Sequence, residues 1–354
     1  MSPIVIKRRM FARRILALSF LWIAVAPLLR AQLDLTPTEQ KALPTGHLQV
    51  IDLESGPNDE VLLFTLDVVL GQSPSYGTWT SVGSLRNLVR PLYNSRVATL
   101  PSQSNLWAVT SYDNDDNPGV WHVTRAAPGF FAYRALPHTE QELPYDLAMT
   151  ANGSLYIIDG SHRLWFNDTA NNAPDFIRLT DAVSDINRLR VGGDGLLYAL
   201  NSSNEVYRFS AEGNAIDHYT LAGAAFSEFT VSSAGVLFAF GLSSDYGGIY
   251  DAADGDYLGR FYYDSSDVSI DSGAPGITLG TDTTTGVEQL HLVTGSGDYL
   301  WSYDVTGITA IPEPSTYAAF AGLGACLAAA FKRRRALGFV IARRRRAAST
   351  ANTA

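Results

Sequence analysis

The sequence has almost no cysteine, and its middle part has little positive charge. Its 354 residues contain one cysteine, Cys326, which lies in an apolar stretch near the C-terminus. The part between the two ends therefore has no disulfide bond, and a hydrophobic core must stabilise it. Residues 32–331 contain all 35 acidic residues and only 12 of the 26 lysines and arginines. The formal charge of this part is therefore −23. Such an acidic surface excludes nucleic acid as a partner.

Recognisable catalytic motifs are missing as well. The sequence has no Gly-x-Ser-x-Gly elbow, no phosphate-binding loop and no zinc motif. His162 and His218 fall at different positions of the repeats described below, and no Ser–His–Asp set can be named. These absences favour a protein without catalytic activity. The six histidines are His47, His122, His138, His162, His218 and His291.

The N-terminal segment is basic and then apolar. Arginines and a lysine within residues 7–14 precede the apolar run 15–25, and Ala31 follows. This order predicts a secretory signal peptide over residues 1–31, cleaved after Ala31, and therefore an exported protein. The pair Arg8-Arg9 leaves twin-arginine export open beside the general pathway.

The C-terminal segment has three parts in a fixed order. Pro312-Glu313-Pro314-Ser315 ends the globular part, because proline continues neither a strand nor a helix. Residues 316–331 carry no charge and predict a transmembrane helix, slightly shorter than the usual span of about 20 residues. A basic block follows and would stay on the cytoplasmic side. The block consists of Lys332, Arg333, Arg334 and Arg335.

These three parts resemble a PEP-CTERM sorting signal, which bacteria read with a membrane enzyme called exosortase. The resemblance covers residues 311–346 and implies an exosortase partner, a membrane-bound intermediate and final placement at the cell surface or outside the cell. The sequence departs from the family in its second basic block, Arg343 to Arg346, so the membrane edge has two candidates. A plain membrane anchor is the alternative. Residues 347–354 are predicted to be a disordered tail.

The middle of the chain contains repeats. Gly153, Gly195 and Gly235 align at spacings of 42 and 40 residues, each between two apolar segments. Each glycine predicts a two-residue hairpin turn, and a divergent fourth copy would centre on Gly276. The second strands of the three copies are predicted at residues 155–158, 196–200 and 236–240.

Four strands in a unit of about 40 residues are typical of a β-propeller blade. Units begin near residues 49, 96, 143, 183, 223 and 264, so the sequence predicts an all-β propeller of about six blades over residues 49–308, with seven as the alternative count. Residues 32–48 are predicted to be a linker. No amphipathic helix is predicted between residues 49 and 305, which excludes a helical solenoid, and a pair of β-sandwiches is the alternative fold.

The segments Leu-Tyr-Ala-Leu and Val-Tyr-Arg-Phe, at residues 197–200 and 206–209, resemble repeats of the NHL and sugar-lactonase propellers. This resemblance implies an alternative function, a propeller hydrolase or lyase that acts on a sugar or polysaccharide. Such an enzyme would place similar residues at one position of several blades, where they converge on the central channel.

One acidic loop is a candidate metal site. Asp113, Asp115 and Asn117 alternate as the oxygen ligands of a calcium loop do. Pro118 then stands where the turn needs glycine, and Thr124 stands where a bidentate glutamate is needed. An acidic hairpin loop is therefore the alternative to a calcium site, and no other cofactor is predicted.

Together these features predict an exported, exosortase-sorted propeller with a non-catalytic binding or structural role. Its place would be the cell surface or the extracellular matrix, with a link to exopolysaccharide or biofilm. A receptor subunit in an envelope complex is a further alternative. The 17 tyrosines and 6 tryptophans suit stacking on sugars, although propeller cores also use aromatic side chains for packing.

Overall fold

The computed structural model consists of strands, turns and short connections. It describes residues 33–43, 50–55, 61–65, 69–72, 80–83, 96–99, 106–112, 118–126, 129–134, 144–151, 153–167, 177–180, 183, 185–241, 244–263, 276–281, 285–293 and 299–309. Within these ranges every regular element is a strand, and no helix is long and apolar enough to cross a membrane. The predicted signal peptide and the predicted sorting signal lie outside them.

Twenty-five strands are described. They are β1 (Leu33–Leu35), β2 (Glu39–Ala42), β3 (Val50–Ser55), β4 (Val61–Thr65), β5 (Val69–Gln72), β6 (Thr80–Gly83), β7 (Val97–Thr99), β8 (Leu106–Tyr112), β9 (Pro118–Ala126), β10 (Gly129–Arg134), β11 (Asp146–Met149), β12 (Leu155–Ile158), β13 (Leu164–Asn167), β14 (Ile177–Thr180), β15 (Ile186–Val191), β16 (Leu197–Asn201), β17 (Glu205–Phe209), β18 (Ala215–Thr220), β19 (Glu228–Val231), β20 (Val236–Phe240), β21 (Tyr246–Asp251), β22 (Tyr257–Tyr262), β23 (Gly276–Thr281), β24 (Glu288–Val293) and β25 (Tyr299–Asp304).

These strands form six sheets, antiparallel except at β1, which we call blades 1 to 6 in chain order. Blades 1 to 4 are β3–β6, β7–β10, β11–β14 and β15–β18, and blades 5 and 6 are built on β19–β22 and β23–β25. The first strand of each blade contacts the first strands of the two neighbouring blades, and β23 contacts β3. The inner strands therefore close a circle around a central channel, which confirms the predicted β-propeller.

The two N-terminal strands join the last two blades. β2 pairs with β25 as the outermost strand of blade 6, and β1 pairs in parallel with β22 at the edge of blade 5. The Thr38 amide and hydroxyl groups both donate to the Ser302 carbonyl, at 2.8 and 3.0 Å. Residues 33–35 and 39–42, within the segment 32–48 that was predicted as a linker, thus form strands of the sheets. They do so because the free edges of β22 and β25 offer unpaired backbone groups.

Apolar layers between neighbouring blades form the core. In β16, Leu197 and Ala199 pack toward blade 3, whereas Tyr198 and Leu200 pack toward blade 5. Successive side chains of a strand point to opposite faces, so a strand between two blades is buried on both faces. This explains the uninterrupted apolar runs in the second strand of each repeat.

The repeat glycines lie in turns, but these turns are longer than predicted. The Gly192 amide donates to the Leu196 carbonyl and the Gly195 amide to the Gly192 carbonyl, both at 2.9 Å. The connection therefore has three residues, and Gly195 adopts a φ of +81° at its last position. The prediction of a two-residue turn was wrong, because a type I turn followed by a left-handed glycine also needs glycine at this place.

Gly276, predicted to centre a fourth turn, instead begins the inner strand of blade 6. A Cβ atom at this residue would lie 2.5 Å from the Leu53 Cβ and 2.8 Å from the Leu53 nitrogen. The glycine is needed because blades 6 and 1 approach each other closely where the circle closes.

Candidate functional site

Equivalent positions of the inner strands meet at one level of the channel. Asp52, Asp146, Arg188 and Glu228 each pair with the residue twelve positions later in the neighbouring strand. Arg96 exchanges backbone and side-chain hydrogen bonds with Thr110 at the same place in blade 2. We call these five side chains the charged ring. Their charges alternate in sign from blade 1 to blade 5, and Gly276 completes the level in blade 6.

Glu228 is the acceptor for three arginines. It is fully buried and lies 2.5 Å from the Arg188 Nε, 2.9 Å from an Arg190 terminal nitrogen and 3.6 Å from an Arg96 terminal nitrogen. Burial acts to raise the pKa of Glu228, but these arginines hold it below its ordinary value. The carboxylate is therefore ionised and neutralised inside the channel.

Asp52 and Asp146 tie neighbouring blades together. The Asp52 carboxylate accepts hydrogen bonds from the Leu53 and Val97 amides, at 2.9 and 3.0 Å. The Asp146 carboxylate accepts from Leu147 and Leu189 in the same way, at 2.9 and 2.8 Å. Each aspartate thus binds one amide of its own inner strand and one of the next blade, which fixes the spacing between the blades.

Arg190 occupies the centre of the acidic side chains. Its terminal nitrogens lie 3.7 Å from Asp52, 3.6 Å from Asp146 and 2.9 Å from Glu228, and the residue is 8% exposed. Burial acts to lower the pKa of Arg190, but Glu228 and the two aspartates raise it above its ordinary value. The guanidinium group therefore supplies, from the chain itself, the positive charge that three converging carboxylates require.

Burial dominates the electrostatics of the two aspartates. It raises the pKa of Asp52 to about 6, against the opposing effect of Arg190 and Arg96. It also raises the pKa of Asp146, against Arg190 and Arg188. Desolvation penalises the charged form of each acid, so both depend on the arginines to remain ionised.

A second level of the channel lies two residues further along each inner strand. Four of its six side chains are small, and only Glu54 and Arg190 carry charge at this level. A cavity of 720 Å³ opens along the channel and is lined by this second level, whereas none of the five side chains of the charged ring borders it. Burial and, after it, Asp52 raise the pKa of Glu54 well above its ordinary value. The members of the second level are Glu54, Ala98, Ala148, Arg190, Thr230 and Thr278.

His162, His218 and His291 do not line this cavity. His162 Nδ1 lies 2.7 Å from the Ile186 carbonyl, and the His218 ring stacks on Tyr207 with centroids 5.4 Å apart. His291 is buried in blade 6, where its Nδ1 lies 3.0 Å from the Ser302 hydroxyl. None of the three is therefore positioned for chemistry in the channel.

The site residues that the sequence suggested lie outside the described ranges. Asp113, Asp115 and Asn117 fall between β8 and β9, and the sorting residues 312–315 and 332–335 follow the last described segment. Within the described ranges, no group of three or more His, Cys, Asp or Glu side chains is arranged to hold a metal ion. The calcium loop stays a prediction.

The sequence nevertheless contained a signal for the charged ring. Asp146, Arg188 and Glu228 each stand seven residues before the turn glycine of their repeat. A search for one residue type at the same position of every repeat misses these residues, because acidic and basic residues alternate there from one repeat to the next. The shared property is charge in a strand that is otherwise apolar.

Comparisons with known proteins agree with the fold. The sequence matches no protein-family profile and no curated protein. A gluconolactonase from Xanthomonas campestris has a TM-score of 0.54 at 15% identity, over 75% of this chain and 89% of that one. A protein proposed to be a gluconolactonase has a TM-score of 0.51 at 15% identity, over 80% and 99%. A chain of the nidogen/laminin complex has a TM-score of 0.50 at 13% identity, over 62% and 82%. These similarities establish an all-β propeller fold.

Proposed function

We propose that this chain is an exported β-propeller with a non-catalytic binding role at the cell surface or in the extracellular matrix, linked to exopolysaccharide. The N-terminal signal, the acidic middle part and the PEP-CTERM-like tail support the export and the sorting by an exosortase. The propeller supplies a rigid scaffold, and its channel contains a cavity large enough for a small ligand.

The observation that carries a non-catalytic role is the neutralisation of the charged ring. The Glu228 carboxylate forms ion pairs with arginines. The carboxylates of Asp52 and Asp146 accept hydrogen bonds from backbone amides and lie close to Arg190. A hydrolase that works through carboxylates needs one that is free to bind a metal ion or to activate water. Here the three buried carboxylates are used to hold the blades together.

The sorting step can be tested by replacing Pro312, Glu313 and Pro314 with alanine in the full-length chain. We expect the variant to stay in the inner-membrane fraction of its host, whereas the parent chain reaches the surface or the medium. Immunoblotting of cell fractions measures the distribution. A matched control replaces Ser349, Thr350 and Asn352, which follow the sorting signal, and should sort normally. Unchanged sorting of the Pro-Glu-Pro variant would leave the tail as a plain anchor.

A lactonase is the second candidate, and Glu54 is the observation that favours it. Its carboxyl group borders the cavity, and burial raises its pKa well above the ordinary value, which favours the protonated form that a general acid needs. The fold that this chain shares with gluconolactonases points the same way. The charged ring weighs against it.

A hydrolysis assay separates the two candidates. We expect the purified full-length chain to leave the hydrolysis rate of glucono-δ-lactone at the uncatalysed value, measured by acid release at constant pH. Turnover that falls by about a hundredfold or more in the Glu54→Gln variant would establish the enzyme instead. The Glu288→Gln variant, altered at another carboxyl group that borders the cavity, is the control.

A further inference from the structure

The two levels of the channel do not balance in charge. Together they contain four carboxyl groups, of Asp52, Glu54, Asp146 and Glu228, but three guanidinium groups. Because the charged ring pairs three acids with the arginines, Glu54 is the acid left over. A surplus carboxyl group that is half-buried at the wall of a cavity either keeps its proton or takes a positive charge from a ligand.

The potential around Glu54 favours a cation. Among the charged groups, Asp52 has the largest effect on the pKa of the Glu54 carboxyl and raises it. Asp146 and Glu228 raise this pKa as well, whereas Arg190 lowers it. A positive group beside Glu54 would therefore meet more carboxylates than guanidinium groups. This is the charge environment that a protonated amine requires.

A second observation concerns Arg190, a residue that lines the same cavity. The Arg190 Nε is buried and has no hydrogen-bond partner among the described residues. Both terminal nitrogens of this guanidinium face carboxylates, so the Nε–H is the donor that remains. A buried donor without a partner costs free energy, and an acceptor on a bound molecule would remove that cost.

The shape of the second level suits an amine with an acceptor beside it. Glu54, Thr278 and Thr230 come from blades 1, 6 and 5, which are consecutive around the channel. They present one carboxyl and two hydroxyl groups at the same level, and an ammonium group has three N–H donors. Arg190 of blade 4 follows next in the circle, and Ala98 and Ala148 of the other two blades leave room.

We propose, on the basis of the binding role above, that this level binds a small ligand through its protonated amine. Glu54 accepts from the ammonium group together with the hydroxyl groups of Thr230 and Thr278, and the Arg190 Nε donates to a hydroxyl or carbonyl oxygen on the same ligand. Amino sugars belong to this chemical class. A bare divalent cation fits less well, because one carboxyl and two hydroxyl groups fall short of the six to eight oxygen ligands that calcium takes.

The test is calorimetric titration of the purified full-length chain with D-glucosamine and with D-glucose at pH 7 and low salt. We expect glucosamine to bind at least about tenfold more tightly than glucose, because a charge-assisted hydrogen bond replaces a neutral one. Glu54→Gln should abolish this preference, and Glu288→Gln should keep it. Thermal unfolding of both variants shows whether they fold. If Glu54→Gln unfolds, Glu54→Ala, which also removes the carboxyl group and should also abolish the preference, takes its place.

Four outcomes would overturn the proposal: equal affinity for the two sugars, no binding of either, an unchanged preference in the Glu54→Gln variant, or tight binding of calcium chloride that depends on Glu54. None of them changes where the chain is sorted or whether it hydrolyses a lactone. A failed amine site is therefore distinguishable from a failed proposal for the function of the whole chain.

Discussion

Replacing Glu228 with glutamine is expected to lower the free energy of unfolding by about 3–5 kcal/mol. Glutamine keeps the shape of the side chain but removes the negative charge that Arg188, Arg190 and Arg96 share. Three guanidinium groups would then repel one another in a buried channel, with Asp52 and Asp146 as the acids that remain at that level. The loss is large because an uncompensated buried charge costs more than the pair itself contributes.

Urea-induced unfolding of the purified full-length chain, followed by circular dichroism, measures this loss. Asp217→Asn is the matched control, because it removes the carboxylate from an ion pair with Arg208 at the surface, where the Asp217 side chain is 43% exposed. That change should cost less than about 1 kcal/mol. If both substitutions cost the same, the charged ring does not stabilise the propeller.

Short-range patterns predicted the blades well. β12 and β20 begin and end where the sequence placed them, at residues 155–158 and 236–240, and β16 lies one residue later than the predicted 196–200. Their apolar runs follow from burial on both faces, and the glycine turns between them depend on local backbone geometry. Both are properties of neighbouring residues, so one sequence was enough to show them.

Contacts between distant residues were harder to predict. β2 is a short, mostly exposed segment, Glu39-Gln40-Lys41-Ala42, and nothing local distinguishes it from a linker. It forms a strand because β25, some 260 residues later, offers a free edge. The need for glycine at position 276 likewise depends on a distant contact, the close approach of blade 6 to blade 1.

The charged ring depends both on a local sequence pattern and on contacts between distant residues. The aligned positions of Asp146, Arg188 and Glu228 were available in the sequence, but their pairing requires the circle to close. Arg190 shows this best, since its carboxylate partners come from blades 1, 3 and 5. A repeat alignment can therefore show that charge occurs at the channel, whereas only the structure shows which charges pair with each other.

Acidification is expected to destabilise the propeller through His291 of blade 6. The side chain is 2% exposed, and burial lowers its pKa from 6.5 to about 4. Between these two values the unfolded chain binds a proton that the folded chain does not bind. Stability therefore falls as the pH falls from about 6.5 to about 4, by up to about 3 kcal/mol from this one residue.

A His291→Asn variant separates this effect from the titration of the acids. Asparagine places an amide near the His291 Nδ1 position, within reach of the Ser302 hydroxyl, but it does not titrate. The variant should lose some stability at pH 7 because the smaller side chain leaves space in the core, yet its stability should fall less between pH 6.5 and pH 4. Urea unfolding at a series of pH values gives both curves, and the difference between them isolates His291. Parallel curves would mean that His291 takes up its proton equally in the folded and unfolded chains. A converging pair would instead identify blade 6, which the N-terminal strand β2 completes, as the acid-sensitive part of the circle.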